Sequence, residues 1–175
     1  MEGKEEETMA GKEIKPEEFN ENVFQVIGKE WMLVTGEADG KANAMTASWG
    51  GMGILWGKPV AFVFIRHSRY TKQFVDKAEG LTLSVFKEDR RKMMSYFGTV
   101  SGRDEDKIAK SGLTVRHENG MTYFDEARVT MFCRKLYAQE MEQKCFFDKA
   151  SDEKWNNNDY HTMYVVEIEK ILIEE

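Results

Sequence analysis

Residues Asn43–Thr71 read NAMTASWGGMGILWGKPVAFVFIRHSRYT, and the rest of the chain can be placed around them. In the middle lies an entirely apolar run, Val60–Ile65, which predicts a buried strand. Four glycines precede this run, and two arginines with three hydroxyl groups follow it. No acidic residue falls between Asp39 and Asp76, although the chain has 31 acidic and 25 basic residues. A basic interval in an acidic protein predicts an anion-binding pocket beside the buried strand.

The length and charge distribution predict one folded domain behind an acidic tail. A chain of 175 residues with 41% hydrophobic content is typical of a single globular domain. Up to Glu21 there are eight acidic residues against three lysines, so nearly all of the net charge of −6 lies there. We predict a disordered acidic tail over residues 1–18 and one domain over residues 19–175.

Composition also argues against several classes of function. The acidic balance disfavours nucleic acid as a partner, and the longest apolar run is too short to cross a bilayer, so no membrane partner is expected. The N-terminus lacks the apolar core of a signal peptide, which makes a cytoplasmic location the expectation. Two cysteines and three scattered histidines match no metal-ligand spacing, so we expect no metal and two reduced thiols.

Periodicity and turn residues predict about seven strands and three or four short helices, mostly in antiparallel order. Asn20 is expected to cap a first helix that ends at Gly28. The glycines after Trp49 predict a loop over residues 50–59, and Ser101 with Asp104 predicts a capping box for a later helix. Strands joined mainly by short turns predict a small antiparallel barrel with helical insertions.

The segment Arg66–Thr71 follows the buried strand and has the chemistry of a phosphate site. Arginine forks pair bidentately with phosphate oxygens, and hydroxyl groups donate further hydrogen bonds. The alternative interpretation is that Arg66 and Arg69 pair with surface carboxylates while Thr71 only caps the next helix.

The segment Met45–Trp49 has the composition expected beside a flat ring. Its small and hydroxyl residues let main-chain groups bond the edge of a heteroaromatic ring, while Met45 or Trp49 packs on its face. Core packing is the commoner use of either residue alone. Together with the arginines, the segment favours FMN, which has one phosphate and one large ring. No Rossmann or P-loop motif competes with this interpretation, because Gly51-Met52-Gly53 lacks the required third glycine.

Four segments of the chain resemble the flavin reductase-like, FMN-binding split-barrel family, which includes flavoredoxin. The segments are NAMTASW, LWGKPVAFVFIRHSRYT, SGRDEDK and YHTMYVVEIE. The resemblance extends from about Gln25 to Ile173. It implies a mainly β fold with helical insertions, an antiparallel split β-barrel that binds FMN noncovalently near the interface of a homodimer. It also implies the cofactor-binding residues: Met45, Thr46, Ala47, Ser48 and Trp49 along the isoalloxazine ring, and Arg66, His67, Ser68, Arg69, Tyr70 and Thr71 at the phosphate and ribityl end.

Two positions depart from the family pattern. His67 stands where relatives commonly have proline, which alters the shape of the phosphate site or adds a donor. Val166 precedes Glu167 where relatives often have glycine, and a valine there is expected to narrow the space beside the flavin.

The resemblance implies hydride transfer from a nicotinamide donor to FMN, followed by electron transfer to a second acceptor. Two alternatives stay open: an FMN electron carrier that is reduced by a redox protein, and a flavin-binding module without nicotinamide activity. His161 is the candidate side-chain participant, and the alternative is a packed or surface histidine on a strand.

Overall fold

The computed structural model describes residues 11–175 and is built mainly from β-strands. The strands are β1 Lys12–Ile14, β2 Met32–Ala38, β3 Lys41–Ala47, β4 Gly50–Leu55, β5 Lys58–Arg66, β6 Gly80–Val85, β7 Val115–Glu118, β8 Met121–Phe124, β9 Val129–Glu140 and β10 His161–Ile173. The helices are α1 Val23–Gln25, which continues as a π-helix over Val26–Glu30, α2 Thr71–Lys77, α3 Arg91–Thr99, α4 Lys107–Ser111 and α5 Lys149–Trp155.

One antiparallel sheet contains eight of these strands. Its order is β3-β2-β6-β9-β10-β5-β4, with β1 paired to the end of β10, while β7 and β8 form a separate hairpin. The two edge strands, β3 and β4, follow one another in the chain and are joined only by Ser48 and Trp49. Because no ladder connects β3 to β4, the sheet stays open at this bend. The predicted antiparallel, mainly β class with helical insertions is confirmed.

Two hydrophobic clusters hold the sheet and helices together. The larger one fills the barrel between β2, β5, β6, β9 and β10 and includes Val63, Ile65, Tyr164 and Val166. The second packs α3 and α4 against the sheet through Leu33, Met94, Phe97 and Ile108, among others. Val166 is fully buried in the barrel core. The buried strand predicted over Val60–Ile65 is present in β5, but Phe62 and Phe64 are only half-buried.

The predicted loop over residues 50–59 is wrong, because most of it belongs to a hairpin. β4 pairs with β5 from Gly50↔Val63 to Leu55↔Lys58. Trp56 and Gly57 form the turn with positive φ values of 52° and 69°. At Gly50 φ is 151°, and a Cβ would stand 2.7 Å from the Phe62 carbonyl oxygen. This glycine therefore permits close approach of two strands rather than a loop.

Two predicted helix starts are also wrong. Asn22, not Asn20, caps α1, because its Oδ1 accepts a hydrogen bond from the main-chain N–H of Phe24 at 3.0 Å. The helical segment then continues past Gly28 to Glu30. Asp106 caps α4 by accepting from Ala109 N–H at 3.0 Å, while Ser101 Oγ accepts within the preceding turn. Neighbouring polar residues compete for such caps, and tertiary packing selects one of them.

The end of the segment predicted as a disordered tail is ordered. Lys12–Ile14 pair with Ile171–Ile173 of β10, and Pro16–Glu18 form a 3-10 turn. This strand is held by main-chain hydrogen bonds to the end of β10, and its sequence shows no apolar alternation. Residues 1–10 of the predicted tail lie outside the described residues. Within residues 11–175 there is no helix with both the length and the apolar character needed to cross a bilayer.

Candidate functional site

A pocket opens at the bend between β3 and β4. It brings together both predicted segments, and it is lined by Met45, Thr46, Ala47, Ser48, Trp49, Phe64, Arg66, Arg69 and His161. Its cavity volume is about 160 Å³, smaller than the roughly 300–1,000 Å³ typical of small-molecule sites. The structure thus places the end of β3 opposite the end of β5, with β10 supplying the third wall.

The β3 wall offers main-chain groups and one large aromatic face. Met45 and Ala47 turn their side chains into the protein and are buried. Thr46 donates its hydroxyl to the Met94 carbonyl oxygen at 2.5 Å, which ties the strand end to α3. β3 pairs with β2 on one side only, so its outward main-chain groups have no strand partner within residues 11–175. Trp49, 43% exposed, stands at the mouth of the pocket.

Arg66 joins the end of β5 to the loop that precedes β10. Its Nη1 donates to the Asp159 carbonyl oxygen at 2.9 Å and its Nη2 to the Trp155 carbonyl oxygen at 2.7 Å. Its guanidinium carbon also lies 5.8 Å from the centre of the Trp49 ring. Two of the N–H groups of Arg66 are therefore used in bonds that fix the wall of the pocket.

Ser68 does not line the pocket but fixes the loop that follows β5. Asp159 accepts hydrogen bonds from Ser68 N–H at 3.2 Å and from its hydroxyl at 2.5 Å. From the other side, Arg103 donates to the Ser68 carbonyl oxygen at 3.0 Å, and its guanidinium lies 4.9 Å from the Tyr70 ring centre. The loop between Arg66 and Arg69 is consequently fixed by Asp159 on one side and by Arg103 on the other.

Three further predicted site residues contact protein groups and do not line the pocket. Thr71 is buried, and its hydroxyl accepts from Asn43 Nδ2 at 2.7 Å instead of capping α2. Tyr70 packs edge-on against Phe74, with ring centres 5.0 Å apart. His67 Nε2 lies 2.7 Å from a Glu140 carboxylate oxygen at the surface. These residues support the loop on which Arg69 stands.

Arg69 is the predicted residue whose charge faces the pocket. Within residues 11–175, no hydrogen bond or ion pair engages its guanidinium, and the side chain is half-buried. Burial, followed by the positive charge of Arg66, lowers the pKa of Arg69 from its ordinary value. The charge of Asp159 acts in the opposite direction but forms no ion pair with Arg69, so a bound anion can offset the remaining desolvation cost.

Lys107 is a second buried cation on this side of the molecule, and the sequence analysis missed its role. It is 2% exposed, and its ammonium donates to the Phe97 carbonyl oxygen at 3.0 Å. Burial, followed by repulsion from Arg69, lowers its pKa from 10.5 to about 8. Lys107 is the last residue of the SGRDEDK segment, so the signal was present, but lysine is usually exposed.

His161 closes the pocket from β10 as a neutral ring. Burial, followed by the charge of Arg66, lowers its pKa to about 4, so it carries no charge at pH 7. Its ring centre lies 5.4 Å from that of Trp49 and 6.4 Å from that of Phe64. No hydrogen bond from residues 11–175 engages its ring nitrogens, which leaves one donor and one acceptor for a ligand.

Comparison with known families identifies the domain. Residues 26–175 match the model of the flavin reductase like domain, and because this is most of the chain, the protein belongs to that family. The fold is a split barrel, as the resemblance of the sequence segments predicted. No curated protein sequence matches the chain.

Solved structures of the same fold include two flavoredoxins. Flavoredoxin from Methanosarcina acetivorans is 23% identical, with a TM-score of 0.66 over 90% of this chain and 75% of that chain. Flavoredoxin of Desulfovibrio vulgaris (Miyazaki F) is also 23% identical, with a TM-score of 0.65 over 83% of this chain and 69% of that chain. An FMN-binding domain of a flavin reductase-like enzyme from Shewanella baltica OS155 is 13% identical, with a TM-score of 0.64 over 87% of this chain and 73% of that chain.

The groups around the pocket are chemically compatible with a flavin nucleotide. The Arg69 guanidinium, which makes no hydrogen bond or ion pair within residues 11–175, could pair with a phosphate. The free edge of β3 could bond the polar edge of a ring, and Trp49 could pack against its face. By contrast, no group of three or more histidine, cysteine or carboxylate side chains within residues 11–175 is arranged to hold a metal ion.

Proposed function

We propose that this protein is a cytoplasmic, FMN-binding oxidoreductase that takes a hydride from a nicotinamide donor and passes the electrons to a second acceptor. The observation that carries the proposal is Arg69, a half-buried cation that makes no side-chain hydrogen bond or ion pair within residues 11–175 and faces the free edge of β3 across one pocket. FMN supplies the hydride chemistry when bound, and the protein supplies position and charge.

Each part of the pocket has a distinct task in this proposal. Arg69 binds the phosphate, and Lys107 adds positive potential behind it. Arg66 and Ser68 hold the loop through their bonds to the segment before β10. Main-chain groups from Thr46 to Trp49 bind the polar edge of the ring. His161 is the candidate side chain in contact with the reacting face, and its neutral ring can donate or accept one hydrogen bond.

We propose that the protein acts as a homodimer whose interface covers β4. β4 is an edge strand, and the exposed apolar residues Ile54 and Trp56 lie on it and on the turn that follows, at 71% and 59% exposure. Phe24, 88% exposed, lines a groove together with the start of β4. An exposed apolar edge strand invites pairing or cover by another chain.

The second candidate function is an electron carrier between proteins. Trp49 at the mouth of the pocket and Trp155, which packs against it, are 43% and 48% exposed, which favours direct contact with a protein partner. A carrier of this kind would accept electrons from a redox protein and would not oxidise a nicotinamide nucleotide.

Two measurements test the proposal. Absorbance titration with FMN and with riboflavin establishes binding, and steady-state oxidation of NADH and NADPH with bound FMN establishes the donor. Turnover with either nucleotide supports the reductase, whereas reduction by a protein donor alone supports the carrier. If neither flavin binds, the proposed function is wrong.

A further inference from the structure

An apolar cleft opens where β9 ends and the chain turns towards α5. Its volume is about 470 Å³, and its lining combines apolar side chains with carboxylates: Gln139, Glu140, Met141, Glu142, Cys145, Phe146, Phe147, Asp148 and Met163. We name these residues the Phe147 surface. None of them lines the pocket that contains Arg69.

The apolar part of the Phe147 surface is open to water. The ring of Phe147 is fully exposed, and Met141, in the same lining, is 38% exposed. Phe146 is partly covered by Tyr160, with ring centres 5.9 Å apart. Exposed apolar side chains that share one cleft mark a surface that another molecule covers. Phenylalanine and methionine are also enriched where proteins contact one another.

The charged groups of the Phe147 surface are carboxylates. Glu140, Glu142 and Asp148 line the cleft, whereas no lysine or arginine of residues 11–175 does. Glu140 lies 2.7 Å from a nitrogen of His67, and Glu142 lies 2.7 Å from the ammonium of Lys144. Exposed pairs of this kind are weak and exchange partners readily. The rim therefore offers negative charge to a molecule that brings cations.

The main chain around the Phe147 surface is fixed on both sides. The Met141 N–H donates to the His161 carbonyl oxygen at 3.0 Å, which holds the end of β9 against β10. Asp148, which follows Phe147, caps α5 by accepting from the Ser151 N–H at 3.3 Å. An exposed ring on a fixed segment can be covered without the cost of ordering that segment first.

We propose that the Phe147 surface docks a partner protein through a basic amphipathic segment, in which lysine or arginine side chains flank apolar ones. The apolar side chains of the segment cover Phe147 and Met141, and its cations face the three carboxylates. A second copy of this chain fits less well, because its net charge of −6 is repelled by a negative rim. Nucleic acids and anionic lipid surfaces meet the same repulsion.

The position of the Phe147 surface gives this docking a consequence for the proposed function. Met141 and Phe146 also border a groove lined by Trp49 and Trp155. A docked partner would therefore lie beside the mouth of the pocket, where electrons could pass between the two proteins. The docking itself does not depend on the proposed function, because no side chain that lines the pocket takes part in it.

The test measures binding of labelled synthetic peptides to the full-length protein by fluorescence anisotropy. The probe is an amphipathic helix of leucine and lysine. One control peptide carries glutamate in place of lysine, and another has the same leucines and lysines scrambled so that no apolar face forms. We expect only the amphipathic leucine–lysine peptide to bind tightly, with an affinity that falls as salt is added.

Two pairs of variants locate the binding. F147S removes a ring that is fully exposed, so the fold is kept, and it should weaken the peptide about tenfold. V115S is its control, because Val115 is an exposed apolar residue on the separate β7–β8 hairpin. E142Q should weaken the peptide about threefold and flatten its salt dependence, whereas E88Q, at an exposed glutamate outside the lining, should do neither.

The inference fails if the leucine–lysine peptide does not bind, if either control peptide binds as tightly, or if F147S and V115S behave alike. Sedimentation velocity tests the other occupant: a dimer that F147S converts to a monomer would show that a second copy covers this surface, and the proposal would be wrong. All of these measurements can be made without FMN. Failure of FMN to bind would therefore overturn the proposed function and leave the docking surface standing.

Discussion

Asp159 accepts two hydrogen bonds from Ser68, one from its main-chain N–H at 3.2 Å and one from its hydroxyl at 2.5 Å. The two residues are 91 positions apart, and their contact fixes the loop after β5 to the segment before β10. Arg69 follows Ser68 directly, so the direction of its guanidinium depends on this contact. Asp159 thus positions the charge of the pocket without lining the pocket itself.

Replacing Asp159 by asparagine should therefore weaken FMN more than riboflavin. The amide keeps the size of the side chain but loses the charge that strengthens both bonds. We expect FMN affinity to fall on the order of threefold to tenfold, about 0.7–1.4 kcal/mol, and riboflavin affinity to change little. D39N is the control, because Asp39 is exposed on the β2–β3 turn and pairs with Lys77. Equal losses for both flavins would mean that Asp159 does not act through Arg69.

The two arginines of the pocket should give different results when replaced by alanine. The Arg69 guanidinium makes no hydrogen bond or ion pair in the described part of the chain, so R69A should cost FMN the charge-assisted bonds to its phosphate, about 1.5–3 kcal/mol. Riboflavin, which has no phosphate, should bind R69A almost as well as the wild type. Arg66 donates hydrogen bonds to two carbonyl oxygens, so R66A should weaken the binding of both flavins and lower the melting temperature. R134A, at an exposed pair with Glu167 and Glu169, should change neither affinity.

The contrast between these arginines marks what the sequence could predict. Charge and hydroxyl content predicted an anion site at residues 66–71, composition predicted a ring site at residues 45–49, and the structure brings parts of both segments to one pocket. Each segment is continuous in the sequence, and the apolar run between them predicted the buried strand. The partners of Arg66 and Ser68 were not readable, because they lie about 90 positions away on a loop without a motif. Only the tertiary structure separates the free arginine from the structural one.

The glycines of β4 illustrate a second limit. Glycine in a sequence signals either a turn or a close approach of two backbones, and the two uses look alike in sequence. At Gly57 the turn is present, whereas at Gly50 the neighbouring Phe62 carbonyl oxygen explains the residue. Lys107 shows the same limit for charge, because nothing in SGRDEDK distinguishes its one buried cation from the exposed residues around it.

Lys107 should make the stability of the flavin-free protein depend on pH. Its pKa in the folded protein, about 8, lies below the ordinary value of 10.5, so the unfolded chain binds more protons between these pH values. The free energy of unfolding therefore increases as pH rises from 8 towards 10.5, so the folded protein becomes more stable. Below pH 8 the lysine is charged in the folded protein, and the full cost of burying that charge lowers stability. Against K107M, which cannot titrate, the wild type should become relatively more stable between pH 7 and pH 9.5. Thermal melting of both proteins measures this, and parallel curves would contradict it.

The same lysine should give FMN binding a pH dependence that riboflavin binding lacks. A phosphate near Arg69 and Lys107 favours the charged ammonium, so loss of its proton above pH 8 should weaken FMN in the wild type. K107M should bind FMN more weakly at pH 7 and show a flatter profile from pH 7 to 9.5. Titrations of both flavins at fixed ionic strength measure the effect. A riboflavin profile as steep as that of FMN would mean that the titrating group acts on the ring and not on the phosphate.

Finally, placing a charge on the edge strand β4 should separate the proposed dimer. Ile54 is 71% exposed on this edge, so I54K costs little inside one subunit but would bury a charge at an interface. Sedimentation velocity should give a dimer for the wild type and a monomer for I54K, with similar melting curves at high dilution. V115K is the matched control, because Val115 is an exposed valine on the separate β7–β8 hairpin and should leave the dimer intact. A wild-type monomer, or an I54K dimer of unchanged affinity, would rule out β4 as the interface.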